Sequence, residues 1–140
     1  QTCALPIWYD IVRPEVKVGE HSRLDLMLSA RNRPPCYVEI KNCTLVTDGE
    51  ACFPDAVTTR GRRHLEELIS LVAGGNRCVM FFLIQRMDAV SFRPADHIDP
   101  EYGGALRKAA EKGVEMLAWD VSIDFEGICL NRPVPCRLAS

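Results

Sequence analysis

The chain has 140 residues, of which 47% are hydrophobic and 26% charged, with a formal net charge of −2. That is the size and usage of one globular domain, large enough to bury a core without metal or disulfide staples. It excludes a disordered tail, a collagen-like fibre, a coiled coil and a protein coated in positive charge, so nucleic-acid binding requires a local basic patch.

In chain order, the first seven residues, Gln1 to Ile7, read as an in-frame translation of a DNA-sequencing adapter. The natural sequence is then expected to begin near Trp8, inside a longer protein. Pro14 to Gly19 reads as a short extended segment. Arg23 to Ser29 alternates, with Leu24, Leu26 and Leu28 on one side and Arg23, Asp25 and Met27 on the other. A turn over Ala30 to Pro35 leads to Cys36 to Cys43, where Val38 and Ile40 oppose Glu39 and Lys41, and the two strands predict an antiparallel hairpin. A loop containing Asp48, Gly49 and Pro54 follows.

From about Asp55 to Val72 the period turns helical. Asp55 is the capping candidate, Gly61, Leu65, Leu68, Ile69 and Val72 form the apolar stripe, and Arg60, Arg63, His64 and Glu67 lie opposite. Gly74 and Gly75 stop it. The apolar run Cys78 to Ile84 predicts a strand buried on both faces, and it is far shorter than the roughly 20 residues of a membrane helix. Pro100 to Lys112 reads as a second helix with Asp99 as N-cap, Val114 to Val121 as another strand, and the tail as irregular or edge structure. The fold class is α/β, β-β-β-α-β-α-β, with a mixed sheet flanked by helices.

Seven cysteines, none in C-x-x-C spacing, suggest buried reduced thiols and a reducing cytoplasm. Cys43, Cys52 and His64 do not match zinc-ligand spacing. His21 and His97 carry no assignment, and Gly103-Gly104 lacks the strand and basic residue of a phosphate loop.

Three charged residues inside the hairpin carry the chemical signal, because strand interiors disfavour Asp, Glu and Lys. The midpoint of Asp25 and Glu39 is residue 32, within the turn, so a symmetric hairpin sets them nearly opposite, about 5 Å apart at Cβ. Lys41 shares Glu39's side. Two close carboxylates repel unless a positive charge intervenes, and a hard cation such as Mg²⁺ meets that need. A solvated hairpin face with a cross-strand ion pair, worth about 0–1 kcal/mol, is the plainer alternative. Arg60, Arg62, Arg63 and His64 form the densest basic cluster, suited to a phosphate backbone or, equally, to helix-surface pairs with Glu66 and Glu67.

Ser22-Arg-Leu-Asp25, Tyr37-Val-Glu-Ile-Lys-Asn42, Phe53-Pro-Asp-Ala-Val-Thr58 and Arg60-Gly-Arg-Arg-His-Leu65 occur in order, followed by Phe92-Arg-Pro-Ala95, His97-Ile-Asp99 and Gly113-Val-Glu115. From about Trp8 to the C-terminus the chain resembles the sugar fermentation stimulation protein family. The resemblance implies an OB-like domain, absent here, followed by a PD-(D/E)XK nuclease-like domain over residues 8–140, with residues 1–7 as a foreign leader. It matches Asp25 and Glu39 to the motif's acids, which bind Mg²⁺ or Mn²⁺, and Lys41 to its lysine. Arg60, Arg63 and His64 match the helix face flanking the site, toward DNA. The implied function is binding DNA with little sequence preference, linked to sugar (maltose) utilisation genes, with metal-dependent DNA cleavage as the alternative. The family's first helix, expected to cover one sheet face, would lie upstream of Trp8, so the chain alone is expected to be less stable than a longer one.

Overall fold

The computed structural model describes residues 11–18 and 22–139. The expected leader, Trp8 and His21 lie outside them. Eleven elements follow in order: β1 (Ile11–Val18), β2 (Ser22–Ala30), β3 (Arg33–Cys43), β4 (Leu45–Thr47), β5 (Glu50–Phe53), α1 (Thr59–Ala73), β6 (Arg77–Ile84), β7 (Ser91–Pro94), α2 (Pro100–Glu111), β8 (Glu115–Asp124) and β9 (Gly127–Pro133). A six-stranded mixed sheet runs β1-β2-β3-β6-β8-β9, and a small sheet runs β4-β5-β7.

The hairpin forms with the expected register. Leu26↔Val38, Met27↔Tyr37 and Leu28↔Cys36 are paired, and continuing that register sets Asp25 opposite Glu39. The turn is tighter than expected, since Ala30 pairs with Arg33 and Pro34 and Pro35 lie within β3.

The expected alternation of β2 breaks at Asp25. Leu26 and Leu28 pack on one side of the sheet, whereas Leu24 belongs to the cluster on the other. Pairing lapses at the same place on both sides. Toward β3 the ladder ends at Leu26↔Val38, and toward β1 it skips from Pro14↔Leu26 to Val16↔Leu24, with Glu15 at φ 50°. A non-glycine residue in that region is uncommon and marks a local departure from regular pleating.

β6 is the central strand, parallel to β3 on one side and β8 on the other. Its alternate residues feed two cores: Cys78, Met80, Phe82 and Ile84 toward the helices, and Val79 and Phe81 away from them. Both helices pack on the first face, through Leu65 and Leu68 of α1 and Tyr102, Leu106 and Ala109 of α2. Among the described residues no helix covers the opposite face. There Leu26, Val38, Ile40, Phe81, Leu83 and Leu130 line an apolar cavity of about 270 Å³.

The first helix begins later than expected. Its N-cap is Thr58, whose Oγ1 accepts from the Gly61 N–H at 2.9 Å, so Asp55 is not the cap. Asp99 caps α2 as expected and ties the two helices together: Oδ1 accepts from the Tyr102 N–H at 3.0 Å and Oδ2 from the Thr58 N–H at 2.9 Å. A Cβ on Gly61 would stand 2.8 Å from Thr58 Cγ2 and 3.0 Å from the Tyr102 ring, so only glycine lets α1 sit this close to α2.

The small sheet is the largest departure from the expected order, which treated residues 44–54 as a loop and 85–98 as unassigned. The tail forms edge strand β9. It then runs beside β7, where the Phe92 N–H donates to the Pro135 carbonyl and the Arg137 N–H to the Phe92 carbonyl.

Candidate functional site

Glu39 and Lys41 point to the helix-covered face, because they alternate with Val38 and Ile40 on β3. α1 closes over them. Glu39 is only 3% exposed, which excludes the plainer reading of a solvated hairpin face. Its Oε2 accepts from Lys41 Nζ at 2.9 Å and from His64 Nδ1 at 2.5 Å, while Lys41 Nζ lies 3.1 Å from the same ring nitrogen. Oε1 is buried without a hydrogen-bond partner among the described residues.

Asp25 completes the group from β2. Where the ladder ends, its Oδ2 accepts from the Ile40 N–H at 2.7 Å, so this side chain replaces a strand carbonyl. The two acids titrate in opposite directions. Burial pushes Asp25 up, and the charge of Glu39 beside it adds to that shift against the Ile40 N–H. Burial also pushes on Glu39, yet the hydrogen bond from His64 and the charge and hydrogen bond of Lys41 hold it at about 2. One member of the pair is therefore a firm carboxylate, and the other sits in surroundings that resist its ionisation.

Tyr102 of α2 lies near enough to feel the charge of Glu39. Its hydroxyl is buried without a partner among the described residues, and its pKa is pushed up by burial and by the charges of Glu39 and Asp99. Reasoning from sequence assigned Tyr102 nothing, and an aromatic residue in a helix otherwise reads as core.

His64 is 4% exposed and faces Glu39. The structure thereby separates it from Arg60 and Arg63, which are exposed. A signal was available: His64 stands three residues after Gly61 and four before Leu68, at the spacing of the buried stripe. Arg60 lies one turn from His64 on the same flank of α1. Arg62 pairs with Glu101 of α2 at 3.0 Å. The first turn of α1 holds no acidic residue, so the arginines add to the positive end of the helix dipole.

The cysteines take no part. Cys43 Sγ donates to the Cys52 carbonyl at 3.0 Å, and burial pushes its thiol up to about 12. Cys36, Cys43, Cys52 and Cys78 are buried, and Cys129 and Cys136 half-buried. Among the described residues no helix is long and apolar enough to cross a membrane.

Comparison with known proteins bears on this arrangement. The family model "Sugar fermentation stimulation protein RE domain" matches residues 3–127. The chain belongs to the sugar fermentation stimulation protein family. It is 53% identical over 130 residues to a sugar fermentation stimulation protein homolog of Geotalea daltonii, covering 93% of this chain and 56% of that protein. A homolog from Shewanella sp. strain ANA-3 is 46% identical over 133 residues, covering 94% and 57%. The structure of Pyrococcus furiosus SfsA in complex with Ca²⁺ superposes with a TM-score of 0.82 at 30% identity, covering 89% of this chain and 54% of that one. The chain thus spans about half the length of the relatives it matches.

Proposed function

We propose that the chain is the PD-(D/E)XK nuclease-like part of a DNA-binding protein, and that its acid pocket serves cation-dependent hydrolysis of a DNA phosphodiester. The observation that carries this reading is the buried, unpartnered Glu39 Oε1 beside Asp25, with Lys41 attached to the other oxygen. A buried acceptor without a donor costs about 1–3 kcal/mol, more when charged, so such an atom asks for a ligand. The donor set suits Mg²⁺ or Mn²⁺: two carboxylates, hard oxygen ligands. Among the described residues no group of three or more His, Cys, Asp or Glu is placed to hold a metal ion, so water and phosphate oxygens would supply the rest. A cation held by Asp25 and Glu39 would relieve their repulsion, acidify a bound water and stabilise charge on the phosphate.

The chain's own groups do the remaining work. Lys41 spends one Nζ proton on Glu39 Oε2 and has two more for a phosphate oxygen or the attacking water. Arg60 and Arg63 neutralise backbone phosphates at the rim, aided by the N-terminal end of α1. The Ca²⁺ in the Pyrococcus furiosus relative supports a cation site in this family.

A second reading is DNA binding without cleavage, in a regulator linked to sugar-utilisation genes. The observation favouring it is that Glu39 is already paired with the Lys41 ammonium and hydrogen-bonded by His64. One experiment separates the two. Wild type and Glu39→Gln are mixed with plasmid DNA in EDTA, Mg²⁺ and Mn²⁺ and run on a gel. The hydrolytic reading expects a mobility shift from both proteins and nicking only by wild type with metal. A shift without nicking, from protein folded by circular dichroism, leaves the regulator; no shift overturns both.

A further inference from the structure

We propose that His64 is a positioning residue of the acid pocket: by holding Glu39 through Oε2, its imidazole leaves Oε1 as the oxygen offered to a divalent cation. The inference rests on the cation reading above.

A glutamate carboxylate offers two oxygens and about four acceptor sites. Here both donors fall on one oxygen, Lys41 Nζ at 2.9 Å and His64 Nδ1 at 2.5 Å, and Oε1 has none. A pair built only to neutralise a buried acid would do better with one donor on each oxygen.

The last torsion of glutamate is broad and two-fold, and a lysine ammonium on a four-carbon stem follows the carboxylate wherever it turns. Lys41 alone therefore does not fix which oxygen faces the pocket. His64 does. It is 4% exposed and anchored in α1 between Gly61, which holds the helix against α2, and Leu68 in the core.

The contacts also select the tautomer. An ammonium only donates, and Nδ1 cannot donate to Glu39 while accepting from Lys41. With Nδ1–H directed to Oε2, both protons converge on that atom, and the 3.1 Å approach of Nζ to the ring is a consequence of the shared acceptor.

Asparagine and glutamine make the claim testable. An Asn amide nitrogen stands where His carries Nδ1, whereas the Gln nitrogen reaches to the place of Nε2. The 140-residue chain, as wild type, H64N, H64Q and H64L, is titrated with Mn²⁺ alone by calorimetry and by loss of the free-ion paramagnetic signal, after circular dichroism has shown each protein folded. Losing a group that orients a metal ligand typically weakens metal binding by about 10–100-fold. H64N should bind within about threefold of wild type, and H64Q and H64L at least about tenfold more weakly.

H64L or H64Q that binds as tightly as wild type overturns the positioning role and leaves the cation reading standing. The same holds for H64N that binds no better than H64L. Wild type that binds no Mn²⁺, or binding that survives Glu39→Gln, overturns the cation reading and this inference with it. If H64L does not fold, the comparison of H64N with H64Q decides, since both are amides and only the Asn nitrogen stands at the place of Nδ1.

Discussion

The two faces of the six-stranded sheet are made by the same strands and carry opposite chemistry. On the helix side β3 presents Glu39 and Lys41; on the other it presents Cys36, Val38 and Ile40. Charge usually lies on the solvent side of a sheet and hydrocarbon on the packed side. Here the charged pair lies under α1, and the face with the apolar cavity of about 270 Å³ has no helix over it among the described residues. A helix above the acids removes water from them and brings His64 against Glu39. What the comparison teaches is that burial in this sheet serves two ends. One face is covered to build a site, and the other is apolar enough to ask for cover.

Unequal cover predicts unequal cost. Phe82 points to the helix side, fully buried, stacked on Phe92 at 4.2 Å between centroids and against Phe53 at 5.7 Å. Its neighbour Leu83 points to the open side and is only half-buried. Phe82→Ala should cost about 4 kcal/mol, the usual loss for a large core residue. Leu83→Ala should cost about 1–2 kcal/mol, because part of that side chain is already in water. Urea unfolding of the two variants measures both. Equal costs would break the comparison and mean that the open face is covered in solution.

Glu39 sharpens it through pH. Its folded pKa of about 2 lies below the ordinary 4.5, so the folded state favours the carboxylate. The stability it contributes is fully present above about pH 4.5 and is lost as the pH falls toward 2. Asp25, raised by burial and by Glu39, has the opposite sign: its ionisation opposes folding as the pH rises through its raised value. Unfolding free energies of wild type should therefore fall between pH 4.5 and 2 more steeply than those of Glu39→Gln. Parallel curves would mean that Glu39 is not held by His64 and Lys41.

Much of this site was legible before any coordinates, for reasons that can be named. The hairpin register followed from a midpoint at residue 32, although Ala30 pairs with Arg33 and an irregularity between Leu28 and Ala30 is what restores that register; a shift of one residue would have turned every side chain over. Asp99 followed from its place before a proline that opens a helix. Other features left no local trace. β7 has four residues, too few for a period, and exists through pairing with the distant β5, whereas β4 and β5, equally short, close a local hairpin whose Asp48-Gly49 turn is its one signal. Leu24 fits the alternation of β2, and only the lapse in pairing at Asp25 takes it to the other face. His64 read as one of a basic run because its neighbours are arginines, although its spacing from Gly61 and Leu68 placed it inward.

The smallest expected effect on stability falls outside both faces, at Arg60 and Arg63. Both are exposed and neither has an ion pair or hydrogen bond among the described residues, so Arg60→Gln with Arg63→Gln should change unfolding free energy by about 0.5 kcal/mol or less. Their effect on DNA should be larger. Each phosphate neutralised releases about 0.9 of a counterion, so two such contacts give log K against log salt a slope of about −2. His64 is left out of that count because it lies buried on Glu39. Removing both arginines should flatten the slope by about two, and His64→Asn should leave it unchanged. Fluorescence anisotropy with a labelled duplex over a salt series, in EDTA, measures this without cleavage. If His64→Asn flattens the slope as each arginine does, the imidazole reaches phosphate after all. The division between a rim that binds DNA and a covered pocket that works on it would then be wrong.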